Sequence, residues 1–570
     1  MLRAAAFVLP LAFLPPLVDE FVLPKLLLSR LVIFVLTLVL LARWWQQGTI
    51  AWRRTPIDLP LIAFIGSACL STIFAVNRNV AILGTYDRWE GLLTIITYAL
   101  LFWLAVQFIS GEPDARGLTW SLLFSGYLIG AAAILQGGFG LLGGGYFHQG
   151  ANGPIRADVT LANPDFLGIF LAMLLPVAFA KMISRRPAFN RVLAANLIVV
   201  LALGLLLTFT RAAWIGAVIG VVVVLVLRRG RFHVVPLVSF VVAVAIAVVL
   251  IAAIRPAGSQ TAFGGALVAR IASIADLSAG TEASRIKTWQ DTIPLIASRP
   301  LVGYGPDTFG LVYPKFESVT HGLTLWDKPH EETLGVAATQ GVIGLLAYLW
   351  IIVAFIRAFW TGRSLRGAVA LFGGWVAYQI GTQVNFSYIP TAFAFWLFAA
   401  AAIVTWGPAV TPVRVTAFPR RMAMPVVAGA ALLLAALAIP SVAFPYLADA
   451  DYYASQATGD LGQARSLIAQ ARGLAPFEAT YAIQAGDFAL NFDSNGNPAS
   501  NADWVGAREA YATAAALGSY APETFQHLAI VDEHLGDHAG AVTAARRAVE
   551  LDRYDVDSKA LLTRLVGPSS

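Results

Sequence analysis

Apolar runs near twenty residues recur through the first 446 residues of this chain, and no other feature limits its folding as much. A helix rises about 1.5 Å per residue, so such runs match the roughly 30 Å hydrocarbon core of a bilayer. Thirteen of them lie near 4–18, 27–42, 58–76, 92–109, 118–136, 164–181, 192–209, 212–227, 234–254, 332–356, 367–384, 391–407 and 423–446. Charged residues make up 13% of the chain and mean hydropathy is +0.71. Soluble domains carry about 25% charged residues, so a purely soluble protein is excluded. The fold class expected is all-α: a polytopic membrane helical bundle of about thirteen spans, followed by a helical repeat domain. Arg3 with residues 4–17 has the pattern of a signal sequence, but further spans follow, and it reads as a first helix.

The net charge of +6 conceals a division. Residues 1–446 hold 31 Lys+Arg against 17 Asp+Glu, whereas 447–570 hold 8 against 16. A basic membrane domain, 1–446, thus precedes an acidic and less apolar domain, 447–570. The positive-inside rule orients the spans. With a cytoplasmic N-terminus, eighteen Lys and Arg fall on the cytoplasmic side and six on the short outer connections. Thirteen crossings would then leave the C-terminal domain outside, in the periplasm or its equivalent. The single cysteine, Cys69, rules out disulfides and cysteine metal sites.

Two outer segments exceed simple connectors. One, 137–163, is glycine-rich and ends in IRADVTLANPDF; the other, 255–331, is polar. Within the second, Ile286, Trp289, Ile293 and Ile296 recur at helical spacing and predict a short amphipathic helix over 281–297. The acidic tail repeats itself. Segments 459–476, 502–522 and 536–555 align on Ala464, Ala507 and Ala541, with a 34-residue period and one nine-residue insertion. That pattern matches tetratricopeptide helix pairs, whose concave face binds protein partners; packing alone would also explain it.

The orientation gathers Arg88, Arg156, Arg211, Arg285 and His330 on the outer side. Arg211 lies in LLLTFTRAAWIG, where two apolar runs nearly meet. A charge so placed either snorkels to the interface or aims its planar fork at an anionic group. His330 opens the tenth span, with Glu331 and Glu332 in the first turn where the helix dipole favours carboxylates. An imidazole there suits proton transfer near neutral pH; taken alone, it also reads as an ordinary cap residue. His148, His233 and His321 have no comparable setting. The chain lacks a Walker A loop, a dinucleotide fingerprint and HExxH, and its outer loops lack the aspartate pairs that hold a metal to a nucleotide-sugar. Energy for a reaction outside must arrive with the substrate, as a lipid-linked diphosphate would bring it.

The element His330-x10-Gly341-x2-Gly344, preceded by a large outer loop, resembles the O-antigen ligase/polymerase family. TFTRAAW around Arg211, SRIKTWQDTIPLIASRPLVGYGPDTF around Arg285 and IRADVTLANPDFLG around Arg156 are similar to it as well. The resemblance covers residues 55–410. It implies a GT-C glycosyltransferase of the bacterial cytoplasmic (inner) membrane, working without a metal or other cofactor. Such an enzyme moves a glycan, with inversion, from an undecaprenyl-diphosphate carrier to the hydroxyl of a lipid, glycan or protein acceptor. It further implies that Arg211 and Arg285 hold the donor diphosphate, that Arg88 and Arg156 assist there or bind the glycan, and that His330 activates the acceptor. Glu331 stands where the family usually has Asn, Ser or Gln, and is a candidate assistant. A protein O-oligosaccharyltransferase of the same family, or a flippase for lipid-linked glycans, are the rival readings; nucleic acid is not a partner. A transporter should place charges near the bilayer midplane, and these spans carry theirs at the ends.

Overall fold

The computed structural model describes residues 1–142, 156–183, 188–228, 281–319, 326–365, 367–407, 411–415, 420–493 and 497–567, with positions 245, 249, 267, 270 and 272. The ninth expected span, near 234–254, the glycine-rich stretch with His148, and His233 and His321 fall outside the described residues.

Nearly all regular structure is helical. The order is α1 (Leu2–Leu11), α2 (Leu23–Gln47), β1 (Ile50–Arg54), α3 (Asp58–Ile73), α4 (Arg78–Leu83), α5 (Leu92–Phe108) and α6 (Glu112–Ala133). Then follow α7 (Pro164–Met182), α8 (Ala188–Leu207), α9 (Arg211–Leu227), α10 (Thr281–Ser298), α11 (Glu332–Gly362), α12 (Ala368–Gln383), α13 (Ile389–Thr405), β2 (Thr411–Val415) and α14 (Arg420–Ala438). Twelve of the expected runs fall on helices, and five helical stretches are long and apolar enough to cross a membrane: Leu23–Gln47, Glu112–Gly138, Pro164–Met182, Glu332–Gly362 and Val427–Ala457. The first run is shorter than its apolar sequence suggested. α1 ends at Leu11 and covers only about 15 Å. Pro10 leaves an N–H missing and favours an early stop, and the chain then turns through residues 12–22.

One departure from an all-helical chain is the antiparallel pair β1–β2, with Ile50 opposite Val415 and Arg54 opposite Thr411. It joins two loops expected on the cytoplasmic side. Arg53 also reaches the carbonyls of Ile109 and Ser110, which brings a third such loop to the same end.

At the bundle centre, α7 is buried along almost its whole length between α8, α9, α12 and α13. Small residues let α9 approach α12. A Cβ on Gly216 would lie 2.6 Å from the Ala377 carbonyl, and one on Gly220 would lie 2.6 Å from that of Gly373. Such spacing is how membrane helices pack without a hydrophobic driving force.

The helix expected over 281–297 forms as α10, but its buried face is not the one expected. Thr288, Asp291, Thr292 and Leu295 point inward, while Ile293 is 61% exposed. The surface beneath is itself polar: Tyr313 hydroxyl donates to Thr288 and the Ser318 amide to Asp291. A polar stripe meets that surface, Ile286, Trp289 and Ile296 are half-buried at its margin, and Ile293 alone of the expected apolar set is exposed.

A near-continuous rod runs from α14 through a π-turn at Ile439–Ala443 into α15 (Phe444–Ala457), so the compositional boundary at 446/447 falls inside a helix. Six more helices follow: α16 (Leu461–Leu474), α17 (Ala479–Leu490), α18 (Trp504–Leu517), α19 (Pro522–His534), α20 (His538–Leu551) and α21 (Val556–Val566). Helical repeats are evident in their caps. Asp460, Asp503 and Asp537 each accept an N–H three residues on, at 2.9 Å, and each stands four residues before one of the aligned alanines. Ala464, Ala507 and Ala541 are all buried, since only a methyl fits where the paired helices meet. A side-chain N-cap contributes about 1 kcal/mol per helix.

Candidate functional site

The site begins at the N-terminus of α7. Asn163 caps the helix by accepting the Asp165 amide at 2.8 Å, which fixes the Asp165 carboxylate at the end of the bundle. That carboxylate accepts Arg156 Nη2 at 2.6 Å, Arg285 Nη2 at 3.2 Å and the Thr210 hydroxyl at 2.9 Å. Arg156 Nε also donates to the Thr208 carbonyl at 2.9 Å, and Arg285 Nη1 to that of Val384 at 3.2 Å.

The turn between α8 and α9 brings Arg211 to the same place. Phe209 takes a left-handed φ of 53°, and Arg211 then starts α9, 8% exposed. Arg270 donates Nε to the Phe209 carbonyl at 3.0 Å. Burial, and then the positive charges of Arg211 and Arg156, lower its pKa to about 10. Among the described residues, Arg156 and Arg285 thus bond the Asp165 carboxylate, and Arg270 feels the charges of Asp165, Arg156, Arg285 and Arg211.

His330 lies beside this cluster, held by a segment with anchors on both sides. Asp327 is ion-paired with Arg88. Lys328 donates to Asp307 at 2.6 Å, and the Pro329 carbonyl accepts Trp289 Nε1 at 2.9 Å. Glu331 caps α11 by accepting the amides of Thr333 and Leu334. Between these anchors His330 has a left-handed φ of 52°, which is costly for a residue with a Cβ and persists only where the surroundings enforce it. Its ring stands edge-on between Trp326, at 4.7 Å, and Phe386, at 5.2 Å. Nδ1 is buried and has no hydrogen-bond partner. Burial, and then the charge of Arg285, push the imidazole pKa down to about 4. His330 is consequently neutral at pH 7, with a ring nitrogen available.

Below His330 the helix breaks. Gly341 takes φ 66° and ψ −166° inside α11. The freed backbone groups are met by the preceding loop: Val342 N bonds Pro300 O at 2.8 Å, and Gly305 N bonds Thr339 O at 2.9 Å. A Cβ on Gly341 would come within 2.3 Å of Leu301. The LVGYG segment and the His330-x10-Gly341 spacing are thus two halves of one junction.

Two cavities flank the His330 segment. An apolar one, between α3, α5, α11 and α12, is lined by Pro329, Glu331 and Phe386 beside Phe64, Ile352 and Trp375. A more polar one of about 660 Å³ is lined by Arg88, Asp327 and Phe166 on one side and by the helical repeats on the other.

A family model described as O-antigen ligase matches residues 196–349. Residues 196–349 are thus similar to an O-antigen ligase domain. The match runs from α8 into α11 and includes Arg211, Arg270, Arg285 and His330, while Arg88, Arg156 and Asp165 precede it and the repeats follow it. That match, with five helical stretches among the described residues long and apolar enough to cross a membrane, supports a membrane protein of the glycan-transferring ligase or polymerase kind. No curated protein matches the chain. Among solved structures, the crystal structure of the APC/C hetero-tetramer Cut9-Hcn1 aligns over 84% of this chain and 91% of that one, at 13% identity and a TM-score of 0.18. A score that low establishes no common fold.

Of the residues singled out in the sequence, Arg156, Arg211 and Arg285 converge around Asp165, with His330 near Arg285. Arg88 is engaged with Asp327 and lies over the rings of Phe386 and Tyr388, at 5.6 and 5.2 Å. Glu331 spends its carboxylate on the helix cap. Asp165, Arg270 and Asp327 escaped sequence reasoning. Asp165 lay in IRADVTLANPDFLG, one of the O-antigen ligase-like segments, whereas Arg270 opens RIASIADL in the same outer loop as Arg285 and outside those segments.

Proposed function

We propose that the protein transfers a glycan from an undecaprenyl-diphosphate carrier to an acceptor hydroxyl on the outer face of the bacterial cytoplasmic membrane. The N-terminus would be cytoplasmic, with domain 1–446 catalytic and domain 447–570 outside. The observation that carries the reading is the pairing of Arg156 and Arg285 on Asp165, with Arg270 and Arg211 electrostatically coupled to them, next to a neutral histidine.

In this mechanism the diphosphate binds beside Asp165, among these guanidinium groups. Arg211 and Arg285 hold it, and Arg156 and Arg270 complete the field. As the bond from the anomeric carbon to the phosphate oxygen lengthens, negative charge grows on the leaving diphosphate. Donors fixed in advance stabilise that charge most. The acceptor oxygen attacks from the opposite face, which inverts the anomeric centre. Its proton passes to His330 Nδ1, and undecaprenyl diphosphate leaves. Arginine supplies the positive charge throughout, so no metal is required. Diphosphate binding also masks Arg285, whose charge lowers the histidine pKa; the base gains strength when the donor is in place.

Reconstitution in liposomes with an undecaprenyl-diphosphate-linked oligosaccharide and a panel of hydroxyl acceptors tests the reading. Glycosylated acceptor and free undecaprenyl diphosphate should appear together. Movement of the intact glycolipid across the bilayer without transfer would identify a carrier instead.

A further inference from the structure

The repeat helices do more than extend from the membrane part; they close a cavity against it. Asn79 donates to the carbonyls of Phe477 and Leu517, at 2.9 and 3.2 Å, and so binds two inter-helix loops of the repeats to α4. At the far end, Arg553 donates to the Pro314 carbonyl at 2.8 Å. Between these attachments lies the polar cavity, about 660 Å³, whose floor includes Arg88 and Asp327. We propose that this cavity binds the acceptor, and that the acceptor is an uncharged saccharide.

The inference rests on the glycan-transfer reading and deepens it. Charge is the first argument. Asp19, Glu20, Asp87 and Glu478 line the cavity, and its one lining arginine, Arg88, is already paired with Asp327. Burial in this acidic setting pushes the Asp87 carboxyl up to about 6 and that of Glu478 to about 7. Carboxyls raised in this way, with Asp19 at about 8, are largely neutral near pH 7, and the arginine beside them is already paired, so the lining offers hydroxyl-bonding groups but no unpaired cation for a phosphate or uronate. Surface chemistry is the second. Tyr86, Tyr388, Tyr452, Phe477 and Tyr520 supply flat apolar faces beside hydrogen-bonding carboxyls. Sugar rings present C–H faces and hydroxyl edges to match that mixture.

The full-length protein in lipid nanodiscs should be applied to an array of neutral oligosaccharides, uronic-acid oligosaccharides and lysine-rich peptides. Neutral oligosaccharides should be retained selectively. Ala479→Trp, on the repeat wall, should fill the cavity and weaken that retention at least tenfold, leaving affinity for the lipid-linked donor unchanged. Leu517→Trp, from the next repeat, serves if the first variant is unstable. Retention of no saccharide, preference for uronic acids or peptides, or full retention by both stable variants would overturn the proposal. Glycan transfer by the wild-type protein, measured in parallel, separates that outcome from failure of the enzyme reading.

Discussion

Arg285 and Asp165 are 120 residues apart in sequence, yet a guanidinium nitrogen of one lies 3.2 Å from a carboxylate oxygen of the other. This contact ties α10, in the large outer loop, to the start of the central helix α7. It makes the arginine cluster a junction between elements rather than a property of one loop.

Asp165→Asn should disrupt that junction. Removing one partner of a buried pair typically costs about 3–5 kcal/mol, because the remaining charges are left uncompensated. A lower unfolding temperature in detergent and a large loss of transfer are expected, with partial recovery in Asp165→Glu. Wild-type stability and turnover in the asparagine variant would show that the carboxylate does not organise the site.

The depressed His330 pKa sets a pH dependence. The base must be unprotonated, so kcat/KM should stay level as pH falls from 7 to 5 and decline near pH 4. Arg285 lowers this pKa, so its removal favours the protonated form. The residual activity of Arg285→Gln should therefore begin to fall at a higher pH than that of the wild type. A shift in the opposite direction, or none, would contradict the proximity of the two groups.

Arg88 and Asp327 should behave as one unit, a clamp that positions the His330 segment. Arg88→Ala and Asp327→Ala should each reduce turnover, and the double variant should be little worse than either alone, since contacting residues are not additive. Independent, multiplying losses would assign Arg88 a separate contact with substrate.

Gly341→Ala should destabilise the protein. The left-handed φ is unfavourable for alanine, and the added Cβ would run into the backbone of Leu301. Reduced yield and a lower unfolding temperature are the expected readouts; a normally stable variant would mean that the helix break can be rebuilt.

Membrane helices and the repeats were legible because each has a strong local period: apolar runs of bilayer length, and a capped helix recurring around a buried alanine. What was not legible depended on partners. Ile293 looked like a core residue of α10, but the surface beneath that helix is polar, and the periodicity of one helix cannot show what it meets. Arg88 was expected to assist at the diphosphate or hold the glycan, and its pairing with Asp327 could not be read from either segment; nor could the two cap hydrogen bonds that Glu331 accepts. Asp165 went unnoticed because a single carboxylate at a helix start is ordinary; only the arginines brought to it from 156 and 285 set it apart.

Glycan transfer by purified His330→Ala, reconstituted with an undecaprenyl-diphosphate-linked donor in the presence of EDTA, tests the central claim most directly. Wild-type protein should remain active without metal. The variant, shown to be folded and to bind donor normally, should turn over about 100-fold more slowly or worse, as loss of a positioned general base typically requires. A folded His330→Ala protein within a few-fold of wild type, or a wild-type enzyme silenced by EDTA and restored by Mg2+, would contradict the account.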